Sequence, residues 1–211
     1  CGRIPKLVND GFKGKIYCTS ATRDLAAIML LDSAHIQETD AEYESRKFKK
    51  TIKPLYTQID AKNCLKYFRC VEYDNWFSVN ENIKVLFSDA GHILGAASVT
   101  LKINENNNET VFGFSGDIGR YNRPILKDPA PMPELDYFIC ESTYGGKTHE
   151  ETPESDEHFL KIIYDTCVSK RGKLIIPAFS VGRTQELLYR LDKLYTNGKL
   201  KNIPVYVDSP L

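Results

Sequence analysis

The sequence predicts an α/β chain in two parts, and three observations carry that reading. Hydrophobic residues make up 42% of its 211 residues, enough apolar surface for a sizeable core. Between Ile83 and Phe114 the apolar residues recur with a period of two, as in strands joined by hairpins. From about residue 145 onward short strand-like runs alternate with helical ones, the pattern of β-α-β units with parallel strands.

Each element follows from local signals. Lys15–Thr19 reads as a short strand. Leu25, Ile28, Met29, Asp32 and Ile36 recur at helical spacing and predict a helix from Thr22 to about Glu38. Glu42–Lys50 is charge-rich and reads as a solvated helix face, including Arg46-Lys47-Phe48-Lys49-Lys50. Thr57 with Asp60 three residues later has the form of a capping box, opening a short helix to Phe68. Strands are predicted at Ile83–Phe87, Ser98–Ile103 and Thr110–Phe114, the last two joined through Asn104–Glu109, and again at Tyr137–Cys140. Thr152-Pro153-Glu154 predicts a helix start, with Phe159, Ile162, Ile163 and Cys167 on its apolar side. Lys173–Pro177 and Pro204–Val207 read as parallel strands flanking a helix from Arg183 to Tyr195 that Gly198 closes.

Composition narrows the function classes. Twenty-eight Lys and Arg balance 28 Asp and Glu, so the chain lacks the basic excess of a tail-driven nucleic-acid binder. An enzyme acting on phosphates stays open, because bound cations supply positive charge that no residue count records. The six cysteines show no C-x-x-C pair and read as reduced core residues, Cys18 and Cys140 in apolar surroundings. No run approaches the roughly 18 apolar residues of a membrane span, which predicts no membrane partner. Trp76-Phe77 and the tyrosines read as core, and His35, His149 and His158 lack a ligand-like context. The start at Cys1 and the stop at Leu211 read as the ends of a piece of a longer protein.

Three segments each place a polar residue just after a strand, in a glycine-rich turn: Ser88–Ala96 with His92, Phe114–Arg120 with Asp117, and Ile139–Gly145 with Glu141. Strand ends in a layered α/β protein point to one sheet edge, where ligand sites form. By spacing alone each residue reads equally as an ordinary turn residue. A fourth segment, Ser180-Val181-Gly182-Arg183-Thr184, joins a strand to a helix. Free N–H groups and the helix dipole favour an anion there, with Arg183 as a charge-assisted donor or, equally, as the partner of an acid at a domain interface.

D-A-G-H-I-L-G-A-A, F-S-G-D-I-G-R, E-S-T-Y-G, I-P-A-F-S-V-G-R-T-Q-E-L-L-Y and V-Y-V-D-S-P occur in this order. Together with Gly2-Arg3-Ile4-Pro5 and the Tyr17–Glu38 stretch they resemble the β-CASP group of metallo-β-lactamase-fold nucleases, over nearly the whole chain. That resemblance implies an incomplete αββα metallo-β-lactamase sandwich over residues 1–144. It implies the start of an inserted β-CASP α/β domain with a parallel sheet over residues 145–211, and an active site in the cleft between them. His92 matches the position of a zinc-binding imidazole, Asp117 that of a carboxylate bridging two zincs, and Glu141 that of an acid orienting a downstream histidine. The resemblance implies that the family's H-x-H-x-D-H cluster would fall before Cys1 and its two late histidines beyond Leu211, so that two of the expected metal ligands lie on this chain.

The implied activity is zinc-dependent hydrolysis of RNA phosphodiester bonds, expected to be endonucleolytic, in the cytoplasm or in a eukaryotic nucleus. Two Zn2+ ions about 3.5–4 Å apart acidify a shared water and clamp the phosphate oxygens. Ser180, Gly182 and Arg183 are then substrate-backbone contacts, and the implied partners are RNA and a homodimer or multi-subunit RNA-processing assembly. The alternatives are an inactive RNA-binding paralogue and a DNA-directed nuclease of the same fold. The isolated 211-residue chain is expected to be inactive.

Overall fold

The computed structural model describes residues 1–106, 108–147, 155–201 and 203–208. Its contacts divide it into two compact units, Cys1–Glu141 and a second from Ser142 onward. The fold is α/β, consistent with a partial metallo-β-lactamase and β-CASP architecture.

In the first unit a short helix α1 (Ile4–Asn9) precedes strand β1 (Ile16–Cys18) and the long helix α2 (Ser20–Phe48). Helix α2 runs unbroken through both stretches expected as separate helices, since no Gly or Pro interrupts them. Thr19 caps its start by accepting the Thr22 N–H, and Lys49 ends it in the left-handed conformation. The buried stripe differs from the expected one. Ala26, Leu30, Ala34 and Ala41 face inward, whereas Ile28, Met29 and Ile36 are exposed. Apolar side chains stand on both sides of this helix, so periodicity could not choose the face. Small alanines admit the close approach of helix α3 (Gln58–Cys64).

Helix α3 starts in the expected capping box: Thr57 Oγ1 accepts the Asp60 N–H and the Asp60 carboxylate accepts the Thr57 N–H at 2.8 Å. The Thr57 N–H and hydroxyl, both donating to it, hold the Asp60 carboxyl below its ordinary range. A 3-10 turn (Leu65–Tyr67) leads into strand β2 (Phe68–Cys70), which pairs in parallel with β1. Cys18, Leu30, Ala34, Tyr56, Ala61, Cys64 and Phe68 form the core of this half.

A five-stranded mixed sheet follows, in spatial order β3 (Phe77–Ser78), β4 (Ile83–Asp89), β5 (Ala97–Glu105), β6 (Asn108–Phe114) and β7 (Tyr137–Ile139). The expected hairpin is present: β5 and β6 pair antiparallel from Val99↔Phe114 to Glu105↔Asn108, and the strands extend into the stretch expected as turn. Strand β4 is antiparallel to β5, and β7 is parallel to β6. The C-terminal ends of β4, β6 and β7 therefore emerge at one edge.

The cysteine and aromatic expectations need correction. Cys18 and Cys64 are buried, but Cys1, Cys70 and Cys140 are exposed and Cys167 is half-buried. Cys140 follows β7, an outer strand whose Tyr137, Phe138 and Ile139 are all exposed. Phe77 packs between Tyr17 and Phe87, and Tyr56 is buried, whereas Trp76 is exposed with the Lys102 ammonium over its ring.

In the second unit helix α4 (Asp156–Ile163) continues as a π-helical segment (Tyr164–Ser169), and helix α5 spans Arg183–Thr196. Ser155 caps α4; the start expected at Thr152–Glu154 lies outside the described residues, as do His149 and Ser209. Asp156 ties the helices by accepting from Arg190 at 3.0 Å and Lys193 at 3.1 Å, and Lys193 with Arg190 holds its carboxyl below the usual range. Ile163, Leu194 and Leu200 form the core. The parallel sheet expected here is not formed among the described residues. Lys173–Pro177 and Pro204–Val207 have no regular structure, because a strand is held only by a paired neighbour and neither segment has one.

Candidate metal centre and substrate loop

Three loops meet at the edge where β4, β6 and β7 end, and they bring together His92, Asp117 and Glu141. His92 sits in the β4–β5 connection, Asp117 just after β6, and Glu141 two residues after β7. His92 Nε2 lies 3.9 Å from Asp117 Oδ2, and both side chains reach solvent.

The two loops are held against each other by backbone. The Gly119 N–H donates to the Ala90 carbonyl at 2.8 Å, and a Cβ on Gly119 would overlap the Gly91 carbonyl oxygen. Only glycine permits that approach, which sets His92 opposite Asp117. The Asp89 carboxylate accepts the Gly91 N–H at 2.9 Å, and Ala90 donates to the Ala96 carbonyl across the loop.

Glu141 has a defined task in this arrangement. Its carboxylate accepts the Ile118 N–H at 2.7 Å, directly beside Asp117. Its own N–H donates to Ser115 Oγ at 2.9 Å, and Ser98 Oγ donates to the Ser115 carbonyl at 2.8 Å. Ser115 is 1% exposed, so the turn carrying Asp117 is anchored in the sheet by buried hydrogen bonds.

The pair has the donor chemistry of a metal site. With metal–ligand distances of about 2.0–2.2 Å, two ligands of one ion stand no more than about 4.3 Å apart, a span that His92 and Asp117 satisfy. Among the described residues no third His, Cys, Asp or Glu joins them.

Several residues of this site escaped the sequence reading: Thr19, Thr22, Tyr73, Asp89, Ser98 and Ser115. Tyr73 Oη donates to the Ala96 carbonyl at 2.9 Å, and burial, with Asp89 nearby, pushes its phenol above the ordinary value. One legible signal was Thr19-Ser20-Ala21-Thr22 after a strand, a helix start with hydroxyls at both ends.

The Ser180–Thr184 loop belongs to the second unit. Gly182 adopts φ +89°, and its N–H is taken by Gln185 Oε1 at 2.7 Å, so that donor is not free as expected. Gln185 Nε2 donates to the Ser180 carbonyl and Thr184 Oγ1 to the Phe179 carbonyl, which fixes the turn into α5. Arg183 Nη1 lies 3.4 Å from Glu186 Oε2 one turn on, with 45% of the arginine side chain exposed.

In the first unit an imidazole faces a carboxylate on strand-end loops, the second unit carries a helix-opening S-V-G-R-T turn, and the chain's relatives support its assignment to the β-CASP family with the metallo-β-lactamase fold. It is 34% identical over 211 residues to ribonuclease TTHA0252 of Thermus thermophilus, spanning all of this chain and 44% of that protein. It is 35% identical over 212 residues to the transcription termination factor FttA of Methanococcus maripaludis, covering 99% of this chain and 31% of the factor. An RNase J-like protein of Methanocaldococcus jannaschii is 32% identical over 216 residues, 100% of this chain and 45% of its own length. The chain thus spans less than half the length of these relatives. No family model matches it. No helix among the described residues is long and apolar enough to cross a membrane.

Proposed function

We propose that the full-length protein is a zinc-dependent ribonuclease that hydrolyses RNA phosphodiester bonds, cutting within the chain. The observation that carries this reading is the 3.9 Å approach of His92 and Asp117 on adjacent loops, in a chain similar to proteins named as ribonucleases. His92, in its neutral form, and Asp117 would hold the metal. Bound zinc supplies a Lewis acid that acidifies water and neutralises charge gathering on phosphate oxygens.

The chain's own residues act by position and charge. Asp117 contributes a carboxylate from a turn whose next backbone N–H, that of Ile118, is held by Glu141. Glu141 acts on that turn through one carboxylate oxygen, and an acid so placed can also orient a histidine that protonates the leaving oxygen. Arg183 extends a guanidinium to solvent and is assigned to the RNA backbone.

Chelation is the direct test. Removing metal from the full-length protein is expected to abolish cleavage of a labelled RNA, with activity restored by Zn2+. The isolated 211-residue chain is expected to cleave no RNA and to bind fewer than two zincs, since tight sites take three or four protein ligands per ion. Cleavage that survives complete metal removal would refute the reading.

Arg183→Ala should weaken RNA binding with little dependence on sequence. The slope of log affinity against log salt should flatten by about 0.7, one phosphate on a single strand. A lowered melting temperature with an unchanged slope would instead assign Arg183 to its ion pair with Glu186.

A further inference from the structure

The loop that carries His92 is gripped from outside its own sheet. Thr19 Oγ1 donates to the Gly95 carbonyl at 2.9 Å, and Thr22 Oγ1 donates to the same oxygen at 2.8 Å. Both lone pairs of one carbonyl are thereby used. The two threonines lie 76 and 73 residues from Gly95 in sequence, at the junction of β1 and α2. Thr19 is 4% exposed and is also the cap of α2. The fit leaves no slack: Gly95 has φ +89°, and a Cβ there would stand 2.6 Å from the Thr22 nitrogen and 2.7 Å from its hydroxyl.

We infer that Thr19 and Thr22 form a hydroxyl clamp that positions His92 as a metal donor, acting through the Gly95 carbonyl. The inference rests on the reading of His92 as a zinc ligand. His92 stands midway in a loop whose first half is fixed by Asp89 and Gly119. Its second half is fixed at Gly95 by the clamp and at Ala96 by the Tyr73 hydroxyl. Ala96 also donates to the Ile93 carbonyl, so a shift at Gly95 is passed to the residue beside His92. The anchor is rigid, because α2 and β1 belong to the packed core of Cys18, Ala26 and Leu30. Partners that orient a metal ligand without touching the metal typically change its affinity by about 10–100-fold. The clamp supplies that orientation from a helix start instead of from a carboxylate on the imidazole.

Thr22→Val isolates the clamp, since the α2 cap uses Thr19 Oγ1 and the Thr22 backbone N–H, which the substitution keeps. The experiment uses full-length wild type, Thr22→Val, Thr22→Ser and His92→Ala. Zinc affinity is measured against a chromophoric chelator, the visible spectrum after Co2+ loading reports ligand geometry, and a melt follows the metal-free proteins. Thr22→Val should raise the zinc dissociation constant about 10-fold or more and alter the cobalt bands, with a metal-free melt close to wild type. Thr22→Ser, which keeps the hydroxyl, should restore both. If Thr22→Val does not fold, Thr22→Ala takes its place. Zinc affinity and cobalt bands unchanged in the valine variant overturn the clamp. Equal zinc affinity in wild type and His92→Ala overturns the metal reading itself, whatever the threonine variants do.

Discussion

Asp117→Asn in the full-length protein is expected to lower RNA cleavage at least about a thousandfold, ~4 kcal/mol of transition-state stabilisation, while leaving the melting temperature nearly unchanged. His92→Ala should do the same. The reason is structural: both side chains project from loops into solvent, 73% exposed for Asp117 and 41% for His92, and neither belongs to a core cluster. Removing them takes away donors without opening a cavity. Zinc analysis beside a cleavage assay reads the result. A fully active Asp117→Asn protein with normal zinc content would contradict the assignment.

Gly119→Ala should have the opposite profile, with stability and site lost together. The added methyl overlaps the Gly91 carbonyl and forces apart the two loops joined by the Gly119–Ala90 hydrogen bond. Overpacking of this kind costs about 1–3 kcal/mol, enough to lower the melting temperature by several degrees. Zinc affinity should fall with it, because the separation of His92 from Asp117 is set by this contact. A melt and a chelator competition on the same preparation test both halves. A variant that melts and binds zinc as wild type would show that the loops do not depend on this approach.

The contrast between these two variants explains what could be read from the sequence. The strand-end positions of His92 and Asp117 were legible because each follows a period-two run and stands beside a glycine, whereas their metal roles came only from the family resemblance. Glu141 was legible as a residue, but its bond to the Ile118 N–H was not, since it joins positions 23 apart in the chain. Thr19 and Thr22 were further out of reach. Their hydroxyls meet a carbonyl more than 70 residues away, and no local propensity encodes that meeting.

The fold shows the same division. The capping box at Thr57 and Asp60 involves neighbours and appeared as expected. The buried face of α2 depends on what packs against it, and the alanines won over Ile28 and Met29. Strand β2 went unseen because three residues, Phe68–Cys70, carry no period, and only pairing with β1 makes them a strand. The same rule in reverse left Lys173–Pro177 without strand structure despite its apolar run.

His92 and Asp117 are proposed to hold a hydrolytic zinc. Crystals of the full-length protein, measured on both sides of the zinc absorption edge, test it most directly. An anomalous peak is expected within about 2.0–2.2 Å of both His92 Nε2 and an Asp117 carboxylate oxygen. Zinc bound elsewhere, with these two side chains uncoordinated in a protein that cleaves RNA, would contradict it.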